Sequence, residues 1–152
     1  MELKVGDKIP NFTAKNSEGN DFAIQDWIGK KVLVVYFYPK DNTPGCTTQA
    51  CTFRDQYEDF KELGAEVIGI SSDSISSHQK FAQQFKLPFI LLSDTDKNLR
   101  KLFGVPSDLF GILPGRVTYV VDKEGIIAMV FDSMNAKKHI PKAIEAIRKL
   151  QQ

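Results

Sequence analysis

The chain has 152 residues, 42% of them hydrophobic, with 20 Lys and Arg against 19 Asp and Glu for a formal charge of +1. That is apolar material enough for one compact domain over residues 1–152, and the balanced charge, gathered into no long block, argues against nucleic acid as a partner. No segment approaches the roughly 18 apolar residues of a membrane span, and Met1-Glu2-Leu3-Lys4-Val5-Gly6-Asp7 lacks the apolar stretch of a secretory signal, so a cytoplasmic setting is expected.

A hairpin is expected from Phe12 to Ile24, turning at Ser17-Glu18-Gly19-Asn20. The first core strand covers Lys31 to Tyr38, a β-branched and aromatic run that stops at Pro39. Thr43 suits an N-cap and Pro44 the first helical position, so a helix opens there with Cys46 at about its third position. Ala50, Phe53, Tyr57, Phe60 and Leu63 recur at spacings of three and four, giving one amphipathic helix closed at Gly64. Glu66 to Ser71 reads as a second strand and Ser74 to Phe85 as a second helix, with Phe81 and Phe85 at core spacing. Phe89-Ile90-Leu91-Leu92 is a short apolar strand, and a third helix covers Lys97 to Phe103. A loop follows as far as Pro114-Gly115. Its apolar run Leu109-Phe110-Gly111-Ile112-Leu113 suits either core packing or a patch for an electron donor. Val117 to Val121 and Ile126 to Phe131 flank Asp122-Lys123-Glu124-Gly125, which predicts an antiparallel hairpin. Ile140, Ile144, Ile147 and Leu150 form a closing helix with Pro141 near its start. Parallel βαβ units, then a hairpin and a last helix, describe an α/β chain with a mixed central sheet flanked by helices, the thioredoxin-like architecture, with an N-terminal β-hairpin extension.

Cys46 and Cys51 are the two cysteines. In a reducing compartment a permanent structural disulfide is disfavoured, so two neighbouring thiols point to catalysis or to a metal. The first backbone N–H groups of a helix lack internal partners and carry partial positive charge, which favours the nucleophilic thiolate over the thiol. A zinc site from Cys46, Cys51, His78 and His139 would match a ligand count, yet the histidines fall in separate elements without the usual short His-His spacing. Both histidines are read instead as exposed.

The run from Tyr36 through Pro39-Lys40-Asp41-Asn42-Thr43-Pro44-Gly45-Cys46 to Cys51 strongly resembles the peroxiredoxin active site, whose pattern is Pro-x-x-x-Thr-x-x-Cys. Pro39, Thr43 and Cys46 match it at full spacing. A second cysteine five positions on resembles the bacterioferritin comigratory protein, or Q-type, branch. Gly6-Asp7-Lys8-Ile9-Pro10-Asn11-Phe12 is similar to the family's N-terminal segment, and Pro114-Gly115-Arg116-Val117-Thr118 to the strand carrying its active-site arginine. The resemblance implies a thiol-dependent peroxidase in which Cys46 attacks hydrogen peroxide or a small organic hydroperoxide, releases water or an alcohol, and becomes a sulfenic acid. Thr43 and Arg116, with the helix-end amides at Gly45 and Cys46, would hold the peroxide and stabilise charge on its oxygens. Pro39 would shield the thiolate, and Gln49 would support the site. Cys51 would resolve the sulfenate as a Cys46–Cys51 disulfide, reduced in turn by a dithiol protein such as thioredoxin. No metal, haem or flavin is implied, and resolution within one chain suits a monomer. Arg116 owes its place to the resemblance alone, since a charged residue after a Pro-Gly turn is ordinarily solvated.

Five residues of helix advance about 7.5 Å and turn about 140°, whereas a disulfide wants Cα atoms about 4.4–6.8 Å apart. The helix must therefore open locally before the two sulfurs meet. Two competing functions use the same architecture. A thioredoxin-like disulfide reductase would ordinarily carry Cys-x-x-Cys rather than Cys-x-x-x-x-Cys, and a binding or holdase module would have no turnover.

Overall fold

The computed structural model describes residues 2–108 and 113–152. The N-terminal hairpin is present as β1 (Thr13–Asn16) and β2 (Asp21–Ala23). β3 (Val32–Phe37) leads into α1 (Pro44–Asp55) and α2 (Tyr57–Glu62). β4 (Ala65–Ser71), α3 (Ile75–Phe85), β5 (Ile90–Ser93) and α4 (Asn98–Phe103) continue the alternation. After a two-residue ribbon of β6 (Ser107–Asp108) with β7 (Leu113–Pro114), β8 (Val117–Val121), β9 (Ile127–Asp132) and α5 (His139–Leu150) complete the chain.

One seven-stranded sheet runs in the order β2-β1-β5-β4-β3-β8-β9. β3, β4 and β5 are parallel, while β8 runs antiparallel to both β3 and β9. This is the mixed, thioredoxin-like sheet expected from the element order. The N-terminal hairpin is part of it, since β1 pairs antiparallel with β5 through Lys15↔Ser93 and Asn16↔Leu92.

β3 is central and buried on both sides, and its side chains divide with the period of two that a strand imposes. Val32, Val34 and Tyr36, with Tyr38 just beyond, face a core closed by Phe53, Phe60, Phe81, Ile140 and Ile147. Leu33, Val35 and Phe37 face a second core with Ile9, Phe12, Phe22, Leu99 and Phe103. Each such side chain contributes about 1.5–3 kcal/mol by leaving water.

Two local readings change. The helix expected to run unbroken to Leu63 is interrupted at Gln56 (φ −107°, ψ 11°). The apolar spacing continues across the break because Phe53 and Phe60 pack on the same core, their ring centroids 5.6 Å apart. The loop before Pro114 contains the β6–β7 ribbon. Residues 109–112 of the apolar run Leu109–Leu113 lie outside the described residues, so neither reading of that run is tested. Among the described residues no helix is long and apolar enough to cross a membrane.

Candidate active site

The antiparallel pairing of β3 with β8 assembles the site. Its register ends at Phe37↔Val117, so Arg116, one residue before β8, falls at the same sheet end as the loop from β3 to α1. Cys46 is the third residue of α1 and is 1% exposed. The guanidinium of Arg116, 70 positions away in sequence, donates from Nη2 to Cys46 Sγ at 3.3 Å and from Nη1 to Gln49 Oε1. Gln49 is fully buried one helical turn after Cys46, which places it on the same helix face. Gly45 lines this arrangement closely, for a Cβ there would stand 3.0 Å from Arg116 Nη2.

Thr43 occupies the N-cap position with extended backbone (φ −83°, ψ 154°), but its hydroxyl does not cap α1. It donates instead to the Lys40 carbonyl at 2.9 Å. With its one proton engaged there, the hydroxyl turns only lone pairs toward other groups and can accept a hydrogen bond from a substrate. Pro39 is half-buried just past the end of β3. Cys51 is half-buried in α1, both thiols are free, and the intervening turns are helical. The structure thus gathers Cys46, Gly45, Gln49 and Arg116, puts Thr43 and Pro39 on the adjoining loop, and keeps Cys51 apart.

The AhpC/TSA family pattern matches residues 5–130. The chain is 53% identical over 151 residues to a chloroplastic peroxiredoxin Q of Sedum lineare, spanning 99% of this chain and 81% of that protein. A chloroplastic peroxiredoxin Q of Populus jackii is 51% identical over 150 residues, 98% of this chain and 70% of the relative. The crystal structure of peroxidoxin BcpB from Mycobacterium tuberculosis superposes with a TM-score of 0.91 at 32% identity, covering 99% and 100% of the two chains. A Xanthomonas campestris peroxiredoxin Q structure gives 0.85 at 29% identity, covering 93% and 92%. The chain belongs to the AhpC/TSA family, on its peroxiredoxin Q branch. It is a thiol peroxidase. The cytoplasmic expectation does not stand, because the curated plant relatives, at 50–53% identity, are chloroplastic proteins.

Two histidines of this peroxiredoxin expected at the surface are instead wholly buried. Their spacing from helix starts did not reveal which face they take, and burial is tolerated because both nitrogens of each ring find partners. His78 Nδ1 lies 2.7 Å from Asp41 Oδ2 and its Nε2 lies 2.9 Å from the Leu92 carbonyl. Asp41 also accepts from Tyr38 Oη at 2.7 Å and Ser77 Oγ at 2.8 Å, and its N–H donates to Asp73 at 2.9 Å. This network supports the loop that carries Pro39 and Thr43.

His139 serves the other half of the site. Its Nε2–H donates to the Ser133 carbonyl at 2.7 Å and its Nδ1 accepts from Thr118 Oγ1 at 2.8 Å, while the Ser133 N–H donates to the Arg116 carbonyl at 3.2 Å. Burial pushes His139 down to about 4; the Ser133 hydrogen bond opposes this and the nearby Arg116 charge adds to it. The unfolded chain, with an ordinary value of 6.5, therefore takes up the proton first as pH falls. The neutral ring's contribution is complete above about pH 6.5 and is lost progressively toward pH 4, on the order of 3 kcal/mol in all. Urea midpoints across this window should fall less steeply in His139→Gln than in wild type. Equal slopes would mean that His139 binds no extra proton on unfolding.

Proposed function

We propose that Cys46 is the peroxidatic cysteine of this thiol peroxidase, that Thr43, the α1 amides and Arg116 hold the peroxide, and that Cys51 resolves the sulfenate within the chain. The observation that carries this reading is the Arg116 guanidinium 3.3 Å from Cys46 Sγ at the start of α1. The thiolate attacks one peroxide oxygen, the O–O bond breaks, and the departing oxygen leaves with a proton as water or an alcohol. Arg116 and the free N–H groups of Gly45 and Cys46 face negative charge in that step, and the Thr43 lone pairs accept from the peroxide O–H. Pro39 limits water access, and Gln49 orients Arg116. Cys51 sulfur then displaces hydroxide, released as water, from the sulfenic acid. A dithiol protein of the thioredoxin kind returns the disulfide to two thiols. The unit is a single domain acting as a monomer, because no second subunit has to supply a thiol.

Resolution requires the turns between Cys46 and Cys51 to unwind, and the sequence there favours it. Thr47, Thr48 and Thr52 are weak helix formers. Thr52 Oγ1 donates to the Thr48 carbonyl at 2.7 Å, a back-bond that loosens a helix. The N-cap gives no side-chain bond. One equivalent of hydrogen peroxide should remove both free thiols and lower the intact mass by about 2 Da, with faster amide exchange over residues 46–53. Unchanged exchange there after both thiols are lost would overturn the opening step, and slow, unselective oxidation would overturn the activation of Cys46.

A further inference from the structure

Peroxide cleavage needs Cys46, Thr43 and Arg116 in register, yet these residues sit on two segments whose ladder stops at Phe37↔Val117. Past that pair the main chains separate, one toward Pro39 and the other back toward Gly115. Arg100 of α4 spans the gap. It donates from Nη2 to the Tyr38 carbonyl at 2.7 Å and from Nη1 to the Gly115 carbonyl at 3.2 Å. The first carbonyl immediately precedes Pro39 and the second immediately precedes Arg116. We infer that Arg100 is a positioning residue for peroxide reduction, its guanidinium fork holding the Pro39–Thr43 loop and the Arg116 segment at a fixed separation around Cys46. The inference rests on the roles proposed above for Thr43 and Arg116.

Arg100 is itself held from several sides. It is 8% exposed, its guanidinium lies 5.7 Å above the Phe37 ring, and its own N–H donates to Asp94 Oδ2 at 3.0 Å. Asp94 is 2% exposed, also accepts from the Leu99 N–H at 2.8 Å, and is tied to the end of β4 through its N–H to the Ser71 carbonyl at 2.8 Å. Burial lowers the pKa of Arg100, and the negative charges of Asp94 and Cys46 oppose that. The Gly115 end has no slack either, since a Cβ there would stand 2.0 Å from the Pro106 carbonyl oxygen. A buried guanidinium is costly to desolvate, and its planar fork can bridge two carbonyls in a way a lysine ammonium on its shorter reach cannot. Arg100→Lys therefore keeps the charge and removes the bridge.

The test compares two reactions of Cys46 by stopped flow in wild type, Arg100→Lys and Arg100→Met. Hydrogen peroxide needs Thr43 and Arg116 aligned, whereas iodoacetamide needs only the thiolate. A displacement of about 1 Å in a catalytic group can cost about 100-fold, so the peroxide rate of Arg100→Lys should fall about 10- to 100-fold while its alkylation rate and alkylation pH profile stay near wild type. A peroxide-to-alkylation ratio within about twofold of wild type in Arg100→Lys would overturn the inference, whether both rates fall together or neither moves. Arg100→Met extends the loss, and if it fails to fold the lysine variant decides alone. Thr43→Val and Arg116→Met in the same assay separate the two readings. If they keep the wild-type ratio, the peroxide-holding roles fail and this inference with them; if they lose it while Arg100→Lys does not, the inference alone fails.

Discussion

Cys46→Ser is expected to leave the protein inert toward hydrogen peroxide, and Cys51→Ser to react once at close to the wild-type rate and then stop. The asymmetry follows from where the two thiols sit. Cys46 is at the third position of α1 with Arg116 Nη2 3.3 Å from its sulfur, so its thiolate has both a helix end and a cation to stabilise it. Cys51 lies further along the same helix, half-buried, away from the helix end. A serine at 46 offers a hydroxyl whose proton neither feature can remove at neutral pH, which abolishes nucleophilic attack. A serine at 51 leaves attack intact and removes only the second displacement, so the oxygen taken from the peroxide stays on Cys46. Intact mass should rise by about 16 Da for the sulfenic acid, and by about 32 Da in excess peroxide as the sulfinic acid forms. Dimedone should label Cys46 in Cys51→Ser and not in wild type. Full turnover by Cys51→Ser with a thioredoxin-type reductant, or peroxide consumption by Cys46→Ser, would reverse these assignments.

Arg116→Met should slow the reaction of Cys46 with peroxide by about 100- to 1000-fold, the range found when one preorganised donor to a developing anion is removed. Arg116 is 3% exposed, so its charge acts across little water and is worth more than a surface charge would be. Methionine matches much of the volume but donates nothing, and it strands Gln49 Oε1, buried beside it, without the Nη1 donor. An unsatisfied buried acceptor costs about 1–3 kcal/mol, partly offset because a buried charge has also been removed. Stability should therefore change little while the rate collapses. Stopped-flow rates read beside urea midpoints check both halves. A loss below about threefold in a folded variant would show that the guanidinium does not act on the reacting oxygens.

Much of this molecule was legible in order and type of element. The apolar run before Pro39, the Thr43-Pro44 helix start, Gly64 after the second helical piece and the Asp122–Gly125 turn each carry a local physical signal, because strands, caps and turns depend on neighbours in the chain. The same locality placed Cys46 at a helix start with Cys51 five residues on in the same helix. Arg116 and Gln49 were nominated from the likeness of their motifs. What no local signal carried was the pairing of β3 with β8 and of β1 with β5, the break at Gln56, and the burial of His78, His139 and Arg100. Those depend on contacts between segments tens of residues apart. A histidine or arginine alone in a sequence reads as solvated, since burial of its polar atoms is unfavourable until particular carbonyls and carboxylates arrive to meet them. The sequence by itself determined the order and type of the main elements and put Cys46 at a helix start. Only the tertiary structure decided that Arg116 reaches the Cys46 sulfur, because β8 runs antiparallel to β3 and starts at the sheet end where α1 begins, and that Arg100 bridges the two segments where their ladder stops.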